Sequence, residues 1–474
     1  MIRAKPVLTI IKKEYLSAIR ERTLLLVACI TGLLIAFSAV TGWLHLKKND
    51  MQKQRAATLF REEWEEQDTN PHSAAHFGTY LFKPGSLLSM YDNGLNTYLG
   101  NSYRVEAHIQ HEVNQSEAEA SDSQLRFGEL SLALVFQLLV PLLILLITFN
   151  SITREREGNV LRVILMQGIK PAEIIWGKIL GIYSIVLSVI IPALLLMVIP
   201  ILYQTPDTDI LVRFSLFSIT YLLFFFIVVC IGITVSALNK TSNGALVTAL
   251  GCWLIWAVLM PRAVARIIDT RDVLPSRYEL SRNITRGNQQ GMGNDGSSLE
   301  RHKKYIAETL KKYGVDSISQ LPVNLDGLSM QYGEDYNTKV YERYAGNVES
   351  IIKKQQLHVE QFSLLNPFMA VQQFSMGIAG TDYFHHLNFH HQAKDYRDDF
   401  VRTLNMDLAN SGSKYLSYSY KVGPEFFKKM KDFNYVAPTF AKAIQWHSYA
   451  IASLFLWTTL LITMIPFVAK RLKQ

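Results

Sequence analysis

Histidine is concentrated in one stretch of this sequence, where it has the spacing of a metal site. Four histidines fall between Thr381 and His391, and an aspartate, Asp382, precedes them. In a helix, His386 and His390 would lie one turn apart on one face, with Asp382 one turn earlier. Imidazole and carboxylate groups at this spacing are ligand types of zinc and copper sites.

Packing and hydrogen bonding on a partly polar helix is nevertheless the favoured interpretation of this stretch. No distant fourth ligand can be named to complete a site with Asp382, His386 and His390. We therefore expect no metal ion, and these three residues are the candidate ligands if one binds. A weaker scatter of histidines occurs earlier in the chain, at His72, His76, His108 and His111.

The sequence carries none of the common motifs of a self-contained enzyme. GxxxxGK[ST], GxSxG and HExxH are all missing, which excludes a phosphate-binding loop, an esterase-type serine and a zinc-protease site of those kinds. The three cysteines, Cys29, Cys230 and Cys252, lie inside apolar segments and suit neither a disulfide framework nor a paired-cysteine metal site. We expect no catalytic residue and no cofactor in this chain.

A short stretch of mixed charge lies between two long apolar segments and has the character of a docking element. It opens a loop at 150–173, and three bulky apolar residues follow it. We expect an amphipathic helix there, which binds a partner in the aqueous phase and passes force into the membrane, with the apolar side chains entering a cleft on the partner. The alternative is a solvated turn held in place by flanking positive charge. The predicted coupling residues are Thr153, Arg154, Glu155, Arg156, Glu157, Gly158, Leu161, Ile164 and Leu165.

Blocks of apolar residues predict six membrane spans, because about 20 such residues cross a bilayer. The spans are expected near 24–44, 130–149, 174–202, 210–238, 244–261 and 447–468. The corresponding divisions are an interfacial amphipathic helix at 1–22, the first span at 23–45, an external region at 46–126, four spans with the coupling loop at 127–267, a second external region at 268–445, and a last span with its tail at 446–474.

Lysine and arginine orient these spans. The formal net charge is +8, and most of the excess lies beside the spans on one side, which places the two termini and the coupling loop in the cytoplasm. Basic side chains are not interleaved with aromatic ones in a patch, so no nucleic-acid partner is expected. The spans also hold almost no ionisable residue at mid-depth, which argues against a carrier driven by protons or sodium.

The coupling loop resembles that of type-2 ABC exporter permeases. The resemblance is carried by the run from Thr153 to Leu161, by Gln167-Gly168 and by Gly177-Lys178, with Asn159 where the family often has threonine. A subgroup with a large periplasmic insertion is similar to this chain in further motifs. These are Tyr98 to Gly100, Glu106 to His108, Asn366 to Ala370, Ser375 to Asp382, Ala393 to Arg397 and Leu404-Asn405.

The resemblance implies a mainly α fold, a six-helix transmembrane permease whose mostly helical (α+β) external domain is inserted between spans one and two and between spans five and six. It implies a bacterial inner membrane location with that domain periplasmic, a cytosolic ABC ATPase dimer that holds ATP and Mg²⁺, and a second permease subunit, identical or paralogous. The expected function is to couple ATP hydrolysis by that ATPase to export of a substrate, or to transmembrane work on an envelope substrate. The alternative is a mechanotransmission or assembly factor that acts on an envelope protein in the periplasm, and a metal sensor would rest on the histidines alone.

Overall fold

The computed structural model describes residues 2–116, 119, 130–204, 207–412 and 419–472, and most of them are helical. A single antiparallel pair of strands, β1 (Thr79–Phe82) and β2 (Ser102–Val105), is found in this part of the chain. The helices are α1 (Ala4–Arg20), α2 (Arg22–Glu65), α3 (Pro71–Phe77), α4 (132–148), α5 (Thr153–Glu157), α6 (Val160–Met166), α7 (Pro171–Tyr203), α8 (Thr208–Leu238), α9 (Ser242–Arg271), α10 (Arg277–Gln290), α11 (Ser298–Tyr313), α12 (Leu325–Ser363), α13 (Pro367–Ala379), α14 (Tyr383–Asn410), α15 (Pro424–Lys428), α16 (Phe440–Trp446) and α17 (Ser448–Arg471).

Six of the described helices are long and apolar enough to cross a membrane. They are α2, α4, α7, α8, α9 and α17, and the predicted mainly α fold with six spans is confirmed. Helix α8 is the most enclosed of them, and its buried face carries Phe217, Tyr221, Phe224 and Phe225. These rings pack against α4, α13 and one another, so α8 is the central helix of the transmembrane bundle.

The first span does not end where the apolar residues end. Helix α2 continues for 44 residues without a break, which is ~66 Å at 1.5 Å per residue. This is twice the ~30 Å of a bilayer core, so the charged second half projects beyond the membrane. Trp64, near the end of α2, belongs to the hydrophobic core of the inserted domain.

Two spans contain a π-helical segment, at Val135–Leu139 in α4 and at Leu254–Leu259 in α9. Each is followed within two residues by a proline, Pro141 or Pro261. Proline has no N–H to donate and clashes with the carbonyl one turn earlier. The wider π turn accommodates that missing bond without breaking the span.

We call residues 66–116 together with 272–412 and 419–447 the inserted domain. Its two stretches of chain share one hydrophobic core, in which Tyr103 from the first packs with Phe389, Leu404 and Phe427 from the second. The stretch between α2 and α4 therefore buries its apolar side chains against the stretch that follows α9. The strands β1 and β2 form one edge of this otherwise helical domain.

Helix α1 lies closely against α7. Gly177 and Gly181 make this possible, because a Cβ atom at Gly177 would stand 2.6 Å from the Cβ of Ile10. Val7 and Ala18 are buried, whereas Leu8, Leu16 and Ile19 are exposed on the opposite face. The helix is thus fixed to the third span along one side and leaves an apolar surface on the other.

Candidate functional site

The coupling segment, residues 153–166, consists of two short helices that meet at a sharp bend. Helix α5 ends at Glu157, and Asn159 adopts a left-handed conformation with φ of 58° before α6 begins. Asparagine tolerates this conformation better than most residues with a side chain. The bend directs the two helices differently, so that the charged and apolar parts of the segment meet different neighbours.

Glu155 turns inward and joins a cluster of four charges. Its carboxylate lies 2.9 Å from the ammonium of Lys178 on α7 and 2.6 Å from that of Lys13 on α1. Glu14 accepts from the same two lysines at 3.0 and 2.9 Å. Burial alone would raise the pKa of Glu14, but Lys178 and Lys13 lower it. The Lys178 side chain is only 2% exposed, so these two carboxylates take the place of the water that would otherwise surround its ammonium.

Three other residues of α5 form hydrogen bonds with the C-terminal end of α8 and the first residue of α9. Arg156 donates to the carbonyl of Ala237 at 2.9 Å and to that of Asn239. Glu157 accepts from the N–H and the hydroxyl of Ser242 at 2.8 and 2.7 Å. The buried Thr153 accepts from the Ser242 hydroxyl at 3.1 Å. Helix α5 is therefore bonded to two spans besides α7.

A further ion pair joins the start of the chain to the end of the loop. Arg3 donates to the buried carboxylate of Glu173 at 2.8 Å and to the carbonyl of Gly168 at 2.6 Å. Glu173 also caps its own helix by accepting from the N–H of Lys170. The partners of α5 on α1 and α7 were not identified from sequence, although Lys178 stands in the Gly-Lys motif that the resemblance quoted.

The apolar residues of α6 divide between two faces, one packed on the rest of the chain and one exposed. Leu161 is 4% exposed and belongs to the hydrophobic core that the membrane helices form, and Ile164 and Leu165 are partly buried against that core. Leu161 therefore holds the segment in place, while Ile164 and Leu165 are only partly covered. The outward apolar side chains are Val160, Val163 and Met166, which are 48%, 48% and 73% exposed.

The candidate ligands Asp382, His386 and His390 do not converge, which corrects the spacing argument. Helix α14 begins at Tyr383, so Asp382 is its N-cap and its carboxylate turns back to accept from the N–H of His385 at 2.9 Å. Burial lowers the pKa of His386 to about 3, so that this imidazole is neutral. Among the described residues, the histidines whose ring nitrogens do converge closely enough to hold a metal ion are His72, His76 and His108.

Asp382 takes part in a buried charge pair at the junction of the inserted domain and the membrane helices. His447, just before α17, lies between Asp382 and Glu360, with 2.6 Å from a ring nitrogen to each carboxylate. Burial opposes protonation of His447, but these carboxylates raise its pKa to about 9. The imidazolium thereby ties α17 to α12 and to the start of α14.

Helix α13 forms the rest of this junction, because it is buried among α8, α9 and α17. Arg213 of α8 donates to the carbonyls of Ile378 and Pro438 at 2.9 and 2.6 Å. Tyr221, deeper in α8, contacts Ser375 of α13 at 2.9 Å. Helix α8 is therefore joined to the inserted domain by polar bonds as well as by packing.

We expect the protein to lose stability as pH rises from 6.5 to about 9, the ordinary and folded pKa values of His447. The raised pKa means that the folded state keeps a proton that the unfolded state releases. The stabilisation is fully present below pH 6.5 and is lost as pH passes the folded value, at up to ~1.4 kcal/mol per pH unit. Thermal unfolding across this range measures it, and the His447→Gln variant should show a shallower dependence. If stability falls with pH equally steeply in the wild type and the variant, His447 is not the source of the pH dependence.

Comparison with known families gives two matches that adjoin along the chain. A model described as ABC-2 family transporter protein matches residues 38–275, which include the coupling segment, four of the six spans in full (α4, α7, α8 and α9) and the later part of α2. A domain of unknown function (DUF3526) matches residues 280–436, within the inserted domain. A comparison with curated proteins found no match.

Proposed function

The chain belongs to the ABC-2 family of transporter proteins, as its coupling motif predicted, and we propose that it is the subunit through which a separate ATPase drives work across a membrane. It is a multi-pass transmembrane permease of an ABC transporter. In the proposed mechanism, an ABC ATPase dimer binds and hydrolyses ATP with Mg²⁺ in the cytosol. The permease contributes no catalytic residue and converts the closing of that dimer into movement of its spans.

The construction of the coupling segment is the observation that supports this proposal. Each of its charged residues is bonded to different helices. Glu155 is bonded to α1 and α7, Arg156 to α8, and Glu157 to α9. A force applied to the segment therefore reaches four helices at once. The exposed surface formed by Val160, Val163 and Met166, flanked by the exposed Arg154 and Arg162, is the proposed ATPase-binding face.

The functional test is reconstitution of the chain in liposomes with its proposed partner ABC ATPase. The permease should raise the rate of ATP hydrolysis above that of the ATPase alone, because ABC ATPases in complex respond to the state of the membrane subunit. An ATPase that binds nowhere on the permease and hydrolyses ATP at an unchanged rate would contradict the proposal.

We propose a bacterial inner membrane location, with both termini cytoplasmic and the inserted domain periplasmic. Basic residues support this orientation, because α1 and the coupling segment carry Lys5, Lys12, Lys13, Arg154 and Arg162 on one side of the spans. A second permease subunit, identical or paralogous, would complete the transmembrane set. Much of α9 is uncovered within one chain, with Val247 and Ile255 exposed, and it would face that subunit or lipid.

Topology reporters should place the two sides of the protein. A reporter after Asn239, in the turn between α8 and α9, should be cytoplasmic, and one at Gly293, in the loop after α10, should be periplasmic. An alkaline phosphatase and a fluorescent protein fusion at each site serve as reciprocal controls, because each is active on one side only. Activity of the cytoplasmic reporter at Gly293 would overturn the orientation.

Mechanical transmission to an envelope protein, without export, is the second candidate function. The bonds of Arg213, His447 and Ser375 favour it, since they join the spans firmly to a large inserted domain. A cysteine introduced at Gly293 should then change its rate of labelling when ATP binds, with no substrate present. Uptake of a defined substrate into inverted vesicles, with labelling unchanged by ATP, would favour export.

A further inference from the structure

Three histidines of the inserted domain direct the same ring nitrogen to one point. His72 and His76 lie one turn apart on α3, and His108 follows β2. The Nε2 of His72 is 3.1 Å from that of His76 and 3.4 Å from that of His108, and one ligand atom from each residue lies within 4.8 Å of the others. The edges of a tetrahedron with metal–nitrogen bonds of 2.0–2.1 Å measure ~3.3 Å. The separations from His72 match this spacing.

The other ring nitrogens show which tautomers are present. The Nδ1 of His108 lies 2.8 Å from the carboxylate of Glu334, which can only accept, so in the neutral imidazole Nδ1 donates and Nε2 holds the lone pair. The Nδ1 of His72 faces the side-chain oxygen of Asn405 at 3.3 Å, and the amide nitrogen of Asn405 donates to Gln331 at 3.2 Å. His72 is therefore protonated on Nδ1 as well.

Two lone pairs thus face each other across 3.4 Å, on His72 and His108. A hydrogen bond donated by the Nε2–H of His76 occupies the lone pair of His72. The lone pair of His108 still points at that same nitrogen of His72. With the His76 proton on Nδ1 instead, a cation accepts an Nε2 lone pair from all three rings and removes the conflict. An oxygen behind the ring, as His72 and His108 have, is the usual support of a metal-binding histidine. Both Glu334 and Asn405 supply this support.

The supporting residues are themselves fixed. Glu334 is buried, accepts from the guanidinium of Arg397 at 2.6 Å, and also accepts from the backbone N–H of His108 at 2.6 Å. That second bond holds His108 in a left-handed conformation with φ of 65°, which is uncommon outside glycine. Pro71 and the N-cap Asn70 fix the start of α3, and so the face on which His72 and His76 lie.

We propose that His72, His76 and His108 form a binding site for one divalent transition-metal ion, with zinc as the preferred occupant. Three neutral imidazoles suit zinc and copper, whereas calcium and magnesium require oxygen ligands. His72 is buried, but His76 and His108 are exposed, so the fourth position opens to solvent and takes an exchangeable water or a donor atom from another molecule. This site is independent of the proposed coupling to an ATPase.

The bound metal also joins separate parts of the inserted domain. The three ligands come from the stretch between α2 and α4, while Glu334 and Asn405 belong to α12 and α14. Because the metal binds the assembled site and not the unfolded chain, saturating zinc should raise the unfolding temperature.

The test is metal analysis of the full-length protein, purified in detergent with a tag that contains no histidine. After stripping with a chelator and dialysis against Zn²⁺, we expect one zinc per chain. The His76→Ala/His108→Ala variant removes two exposed ligands and should lose that zinc. The matched control, His302→Ala/His391→Ala, removes two exposed histidines outside the site and should keep it. Glu334→Gln should weaken binding by about 10- to 100-fold.

Two further measurements separate a ligand from a merely structural histidine. Co²⁺ in place of Zn²⁺ should give the visible absorption of a tetrahedral site in the wild type and the control, and not in His76→Ala/His108→Ala. Unfolding without metal should be similar in the two double variants. Less than stoichiometric zinc in the wild type, or equal zinc in both variants, would show adventitious binding only and overturn the proposal.

Discussion

Replacing Val163 and Met166 together by aspartate is expected to abolish communication with the ATPase while the permease stays folded and inserted. Both side chains are exposed on the outer face of α6 and contribute nothing to the membrane core. Burying each at an interface would contribute about 1.5–3 kcal/mol. Their loss should therefore weaken binding by at least ~100-fold, and two unpaired carboxylates in the contact would weaken it further.

Co-purification with the ATPase and permease-stimulated ATP hydrolysis measure this effect. The matched control is Leu299→Asp/Ile318→Asp, which alters two exposed apolar side chains of the inserted domain and should behave as the wild type. Substitutions at Leu161 or Glu155 are unsuitable, because the first would place a charge in the core and the second would disturb Lys178. If the Val163 and Met166 variant still binds and stimulates the ATPase, α1 becomes the better candidate for transmission.

The second large effect is expected at Lys178. Its replacement by methionine leaves Glu14 and Glu155 facing each other without the buried ammonium that lies 3.0 and 2.9 Å from them. Removing one partner of a buried ionic cluster destabilises a protein by about 3–5 kcal/mol. Here the loss should also loosen α1 and α5 from α7, since the cluster joins all three helices.

Thermal unfolding in detergent tests this expectation with two comparisons. Lys13→Ala removes the half-exposed lysine of the same cluster and should cost at most ~1 kcal/mol. Lys178→Met/Glu14→Gln/Glu155→Gln removes the opposed charges and should recover most of the stability, because no unpaired ion remains buried. A Lys178→Met protein that unfolds at the same temperature as Lys13→Ala would show that the cluster does not hold these helices together.

The histidines show that helical spacing alone does not bring candidate metal ligands together. Asp382, His386 and His390 have helical spacing, but the helix begins one residue after Asp382, and its carboxylate caps that helix and pairs with His447. His72 and His108 are far apart in sequence and meet because α3 and β2 pack together. Local periodicity describes one helix, whereas a metal site of this kind depends on contacts between elements.

The sequence by itself determined the mainly α fold, the six spans and the family, because each is a local property. A run of apolar residues must be helical in a bilayer, where no water satisfies the backbone, and the coupling motif is continuous from Thr153 to Leu161. The sequence also predicted that the loop holds an amphipathic helix. It did not show which side is covered.

Only the tertiary structure decided that Leu161 packs inward while Met166 is exposed, because that depends on which helices lie beside α6. The same holds for Lys178, whose partners come from α1 and α5, and for α13, which lies among the spans although it follows a polar helix. Charges and apolar faces are stabilised by neighbours from distant parts of the chain. Which of these side chains are buried or paired therefore depends on how the helices pack, and the order of residues within one helix does not determine it.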